Sequence, residues 1–96
     1  MSIRVTLNCT VRVKTKSSLL VFLEDNLPNV RGFKGCLHLD VFFDESGQEM
    51  LLEERWLSKK HHLEYIEFIK NNGILNDLSI FLENPPQIKY FIESDL

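Results

Sequence analysis

The chain has 96 residues and a formal net charge of −3, with 44% hydrophobic and 26% charged residues. This length predicts one domain, 1–96, small enough that self-association to bury more surface is expected. No basic cluster points to nucleic acid, no apolar run could span a bilayer, and Met1-Ser2-Ile3-Arg4-Val5 enters an alternating stretch without the regions of a signal peptide, so a cytoplasmic location is expected.

Residues 3–13 alternate, with Ile3, Val5, Leu7, Cys9, Val11 and Val13 on one face and Arg4, Thr6, Asn8, Thr10 and Arg12 on the other, which predicts a strand. Thr15 or Ser17 can cap the helix that follows. Leu19, Leu20, Phe22, Leu23 and Leu27 recur at helical spacing up to Pro28, where the helix is expected to stop. Gly32 and Gly35 mark a turn. A second strand over 36–43 sets Leu37, Leu39, Val41 and Phe43 against His38, Asp40 and Phe42. Asp44-Glu45-Ser46-Gly47-Gln48 reads as a hairpin turn into a third strand, 49–56, whose helix-facing side carries Met50, Leu52, Glu54 and Trp56. Ser58 is the expected N-cap of a helix whose buried arc holds His62, Leu63, Tyr65, Ile66 and Ile69. Asn71-Asn72-Gly73 ends it, a short helix follows from Ile74, and residues 87–93 alternate as a last strand with Tyr90 and Ile92 facing the core.

The order β-α-β-β-α-(α)-β predicts an α+β, ferredoxin-like split βαβ fold: a four-stranded antiparallel sheet with helices on one face. The other face would carry Asn8, Arg12, His38, Asp40, Phe42, Phe91 and Arg55. Its polar pairs and its exposed phenylalanines predict a homodimer through that face. Cys9 and Cys36 belong to no Cys-x-x-Cys pair and are expected as free thiols. No carboxylate or cysteine set completes a metal site around His61 and His62, which point about 100° apart on a helix, so no metal is expected. The two turn glycines precede a strand rather than a helix, so no phosphate loop and no nucleotide or flavin cofactor are expected either.

Three features in this order resemble the antibiotic biosynthesis monooxygenase (ABM) domain of the dimeric α+β barrel superfamily. They are Gly32-x-x-Gly35-Cys36 entering the second strand, Glu54-x-Trp56-x-Ser58 closing the third, and an aromatic residue, Tyr65, nine positions past the tryptophan. The resemblance covers about residues 3–93. It implies a dimer packed sheet to sheet, with a pocket between sheet and helices in each subunit. It also implies oxidation of a small aromatic phenol or quinol by molecular oxygen without a cofactor; other members degrade haem or act on a signalling metabolite. The chain departs from the family at two places. Tyr65 stands where many members have histidine, and Cys9 and Ile66 stand where the haem-degrading branch has asparagine and histidine. Fold likeness does not carry function across such a group.

Each candidate site residue also has an ordinary structural reading. Trp56 is either core filler or a pocket wall whose indole N–H needs an acceptor. Glu54, a carboxylate on a core-facing position, is either held by a nearby donor or a general base whose pKa burial raises. His62 and Tyr65, three apart on one helix face, are either packed neighbours or the groups that orient a phenolate and take its proton. Catalytic roles would fall on Trp56, Tyr65, His62 and Glu54. The alternative is a homodimer that binds a small hydrophobic ligand without turning it over, with haem degradation a weaker third reading.

Overall fold

In β1 (Ile3–Thr10) the alternation becomes a division of environment: Val5, Leu7 and Cys9 are buried, whereas Asn8 is exposed. The structure, a computed structural model, describes residues 2–96, so Met1 of the expected domain lies outside the described residues. After β1 come α1 (Lys16–Arg31), β2 (Cys36–Phe43), β3 (Glu49–Trp56), α2 (Lys59–Asn71), α3 (Ile74–Ser79) and β4 (Gln87–Phe91). The strands form one antiparallel sheet in the order β2-β3-β1-β4. This is the expected α+β, ferredoxin-like split βαβ arrangement.

Register fixes what faces the helices. Val5 pairs with Glu54 and Tyr90, Leu7 with Leu52, Cys9 with Met50, and Leu39 with Glu54, so these side chains share one side of the sheet. They meet Leu19, Leu23 and Val30 of α1, Tyr65 and Ile69 of α2 and Leu78 of α3 in one core. No helix among the described residues is long and apolar enough to cross a membrane.

Several boundaries differ from expectation, each for a visible reason. β1 ends at Thr10 rather than at 13. Val11 makes only an isolated bridge to Leu82, the Arg12 N–H bonds the Phe81 carbonyl at 2.8 Å, and Val13 is exposed. Arg12, expected within the open sheet face, therefore sits in the turn beyond the strand. α1 does not stop before Pro28 but runs through it to Arg31. A proline in the last turn removes one backbone donor, and the extra turn buries Val30 and lets the Arg31 guanidinium donate to the Leu39 carbonyl at 3.0 and 3.3 Å. Leu20 is exposed, because Leu19 and Leu23 already carry the buried stripe. In β2 a bulge between Cys36 and His38 leaves Leu37 unpaired and exposed instead of facing the core, and turns Cys36 toward the helices opposite Trp56. Leu63 is exposed on α2, and β4 ends at Phe91, leaving Ile92 in solvent.

The start of α2 is held as expected. Ser58 Oγ accepts from the His61 backbone N–H at 3.2 Å and lies 2.7 Å from His61 Nδ1. Gly35, at φ +95°, passes directly beneath this cap: a Cβ there would lie 2.6 Å from the His61 ring. The Leu57 N–H bonds the Gly35 carbonyl at 2.9 Å, which ties the entrance of β2 to the exit of β3 under the helix.

Candidate active site

Among the described residues, the buried polar side chains are Glu54 and His62, and the fold brings them together. Strand alternation points Glu54 and Trp56 to the same side of β3, and the Trp56 indole N–H donates to Glu54 Oε1 at 2.7 Å. The sequence required an acceptor for the indole N–H; it is the neighbouring carboxylate. From α2, His62 Nε2 approaches the same Oε1 to 3.8 Å. That distance is too long for a hydrogen bond, and Nε2 is a buried nitrogen with no partner among the described residues. The other ring nitrogen, Nδ1, lies 2.8 Å from the hydroxyl of Tyr90 on β4.

An aromatic cluster holds these groups. The Trp56 ring meets His62 edge-on at 5.3 Å and lies tilted against Tyr65 at 5.4 Å, and Phe33 stands edge-on to both Trp56 and Tyr65 at 6.3 and 5.1 Å. Phe33 comes from the glycine turn, and the long α1 and the bulged β2 on either side of it set its position.

Burial governs the electrostatics. It pushes the Glu54 carboxyl up to about 7, in spite of the lowering effect of the Trp56 hydrogen bond, and Glu53 adds to the rise. It pushes the His62 imidazole down to about 4. Near pH 6 both are therefore predominantly neutral, and their 3.8 Å approach is not an ion pair. Burial, and then the nearby Glu54, hold the Tyr65 phenol above its ordinary range. Cys9 is pushed up to about 11 by burial and then by Glu49 and Glu54, which makes it a poor nucleophile.

Two spaces meet at Tyr65. A cavity of about 50 Å³ between sheet and helices is walled by Glu54, His62 and Tyr65 together with apolar side chains such as Phe22 and Leu39. A groove of about 540 Å³ opens outside it between the end of α1 and the α2–α3 corner. Asn26, Tyr65, Ile69 and Ile74 line both. Rings of Phe33, Tyr65 and Phe68 and amides of Asn26, Asn29 and Asn72 line the groove, which has no charged side chain among the described residues. Three of the four candidate residues thus reach the cavity; Trp56 lies behind it, bonded to Glu54. Sequence reasoning missed Phe33, Asn26 and Tyr90. For Tyr90 a signal existed, since a hydroxyl on the helix-facing side of β4 needs a partner.

On the far side of the sheet, His38, Asp40 and Glu53 place possible metal-ligand atoms within 4.8 Å of one another. These groups already have partners: Glu53 pairs with Arg4 at 2.9 Å and His38 with Asp40 at 2.7 Å.

No protein-family model matches the chain, and no curated protein matches it. Solved structures do, over nearly its whole length. Rv0793 from Mycobacterium tuberculosis superposes with a TM-score of 0.84 at 20% identity, covering 100% of this chain and 98% of its own. A structure described as an antibiotic biosynthesis monooxygenase gives a TM-score of 0.85 at 11% identity, covering 96% of this chain and 98% of that one. A monooxygenase from the gene ActVA-Orf6 of Streptomyces coelicolor, solved in complex with nanaomycin D, gives 0.80 at 14% identity, covering 99% and 89%. At these identities the likeness establishes the fold. The chain shares the fold of structures described as antibiotic biosynthesis monooxygenases, as its motifs implied.

Proposed function

We propose that the protein is a cofactor-independent monooxygenase that oxidises a small, neutral aromatic phenol or quinol with molecular oxygen. The observation that carries this reading is the buried Glu54 carboxyl facing an unpartnered His62 nitrogen in a cavity that meets an uncharged, aromatic-lined groove. The groove accommodates a flat ring; the cavity has room for an oxygen substituent or dioxygen beside Glu54, but not for the ring itself. Glu54, with its pKa near neutrality, takes a proton from the activated ring carbon. The resulting electron-rich anion gives its electron pair to dioxygen and a C–O bond forms. The peroxide regains a proton, and loss of water leaves a carbonyl. In sum, a ring methylene and one dioxygen give a ring carbonyl and one water. All four electrons come from the substrate. His62 and Tyr65 supply hydrogen bonds to the developing oxyanion in a site poor in water.

Oxygen uptake with a panel of quinols and anthrone-type phenols, with metals chelated, tests this. The expected result is protein-dependent uptake that falls about 100-fold or more in Glu54→Gln, the scale of a lost general base, with a smaller fall in Tyr65→Phe. Uptake unaffected by Glu54→Gln would place the chemistry elsewhere. Saturable binding of the panel without uptake would favour the alternative, a small-ligand-binding domain.

We also infer a homodimer through the open sheet face. Phe42 and Phe91 are about half exposed there, and Asn8, His38, Asp40 and Arg55 occupy strand positions on the same side. Light scattering is expected to give twice the chain mass, reverting toward the monomer in Phe42→Asp. A monomeric wild type would remove the inference.

A further inference from the structure

His62 is neutral over the physiological range, so its chemistry depends on which ring nitrogen carries the proton. The groups that face it are few. From β3 come the Glu54 carboxyl at 3.8 Å and the edge of Trp56; from β4 comes Tyr90, with its hydroxyl 2.8 Å from Nδ1 and its ring edge-on at 5.4 Å. On its own helix, the Lys59 ammonium sits 4.7 Å over the Tyr90 ring and holds that ring from outside. Nδ1 can accept from Tyr90 or donate to it. If Nδ1 donates, the lone pair on buried Nε2 faces an oxygen of Glu54, which repels it whenever Glu54 is ionised. If Nδ1 accepts, the proton lies on Nε2, the ring nitrogen 3.8 Å from that oxygen, and the attraction acts through a medium of low dielectric.

We propose that Tyr90 is a positioning residue for the site: by donating its O–H to His62 Nδ1 it holds the imidazole as the Nε2–H tautomer aimed at Glu54. Tyr90 touches neither cavity nor groove and acts through His62. The Nε2–H then favours the ionised carboxylate that the proposed proton transfer requires, or bonds the oxyanion that forms beside it. The catalytic consequence rests on the monooxygenase reading; the tautomer does not.

Long-range proton–nitrogen NMR on protein labelled with 15N-histidine separates the two. At neutral pH the expected His62 pattern is a pyrrole-type Nε2 and a pyridine-type Nδ1, shifting toward a mixture of tautomers in Tyr90→Phe. The Glu54 side-chain carboxyl, followed by 13C, is expected to titrate at higher pH in that variant than in wild type. A wild-type ring protonated on Nδ1 would overturn the proposal, as would a tautomer unchanged in Tyr90→Phe. Should that variant not fold, the wild-type spectrum alone decides. Failure of oxygen uptake alongside the expected tautomer would remove the monooxygenase reading and leave the positioning role in place.

Discussion

Trp56→Ala is expected to cost about 3–5 kcal/mol of stability, the range for deleting a large buried aromatic. The indole is fully buried, packs on Phe33, His62 and Tyr65, and gives Glu54 its hydrogen bond. Its removal therefore opens a void and strands a carboxyl group in the same step. In a domain whose total stability is about 5–15 kcal/mol, that leaves little margin. Urea unfolding of wild type, Trp56→Phe and Trp56→Ala measures it. Trp56→Phe, which keeps a ring but loses the N–H donor, should fall between the other two. A loss below about 1 kcal/mol for Trp56→Ala, well short of that range, would mean that the cluster does not depend on the indole.

The second large effect is hidden in the wild type by cancellation. Folding raises the Glu54 pKa from 4.5 to about 7, so Glu54's contribution is fully present at low pH and is lost as pH rises through that interval. Folding lowers the His62 pKa from 6.5 to about 4, so His62's contribution is present at high pH and is lost as pH falls. Between about pH 4.5 and 6.5 the unfolded chain holds one proton more on His62 and one fewer on Glu54, and the two slopes oppose each other. Each single variant should expose the other's slope. The stability of Glu54→Gln should itself fall as pH drops from about 6.5 to 4, by about 3 kcal/mol in all, because only His62 then titrates. His62→Gln should lose a similar amount as pH rises from about 4.5 to 7. Urea midpoints across that range decide it; parallel curves for wild type and both variants would mean that neither group is held neutral by burial.

Much of this site was legible in the chain, because strand alternation is a local property. Glu54 and Trp56, two apart on β3, had to face the same way, and Ser58 had to cap the helix that carries His62 and Tyr65. The fold followed from element order for the same reason. What stayed hidden depends on tertiary placement. Whether the Trp56 N–H met a carbonyl, a ligand or Glu54 turns on side-chain rotamers. Tyr90 reaches His62 across 28 residues of sequence, through the pairing of β4 with β1. The turn that delivers Phe33 depends on α1 passing through Pro28, a continuation favoured by the burial of Val30 and opposed by local propensity. The bulge that exposes Leu37 is likewise a matter of register, to which a count of alternating residues is blind.

The most direct test of the central claim is the fate of the oxygen atoms. With 18O-labelled dioxygen and a quinol or anthrone-type phenol that supports uptake, one labelled atom is expected in the product carbonyl and the other in water. Product formation is expected to be lost in Glu54→Gln and kept in a variant of an exposed residue such as Lys70→Ala. Product carrying no label, both labels, or label incorporated equally well by Glu54→Gln would contradict a monooxygenase centred on the Glu54–His62 cavity.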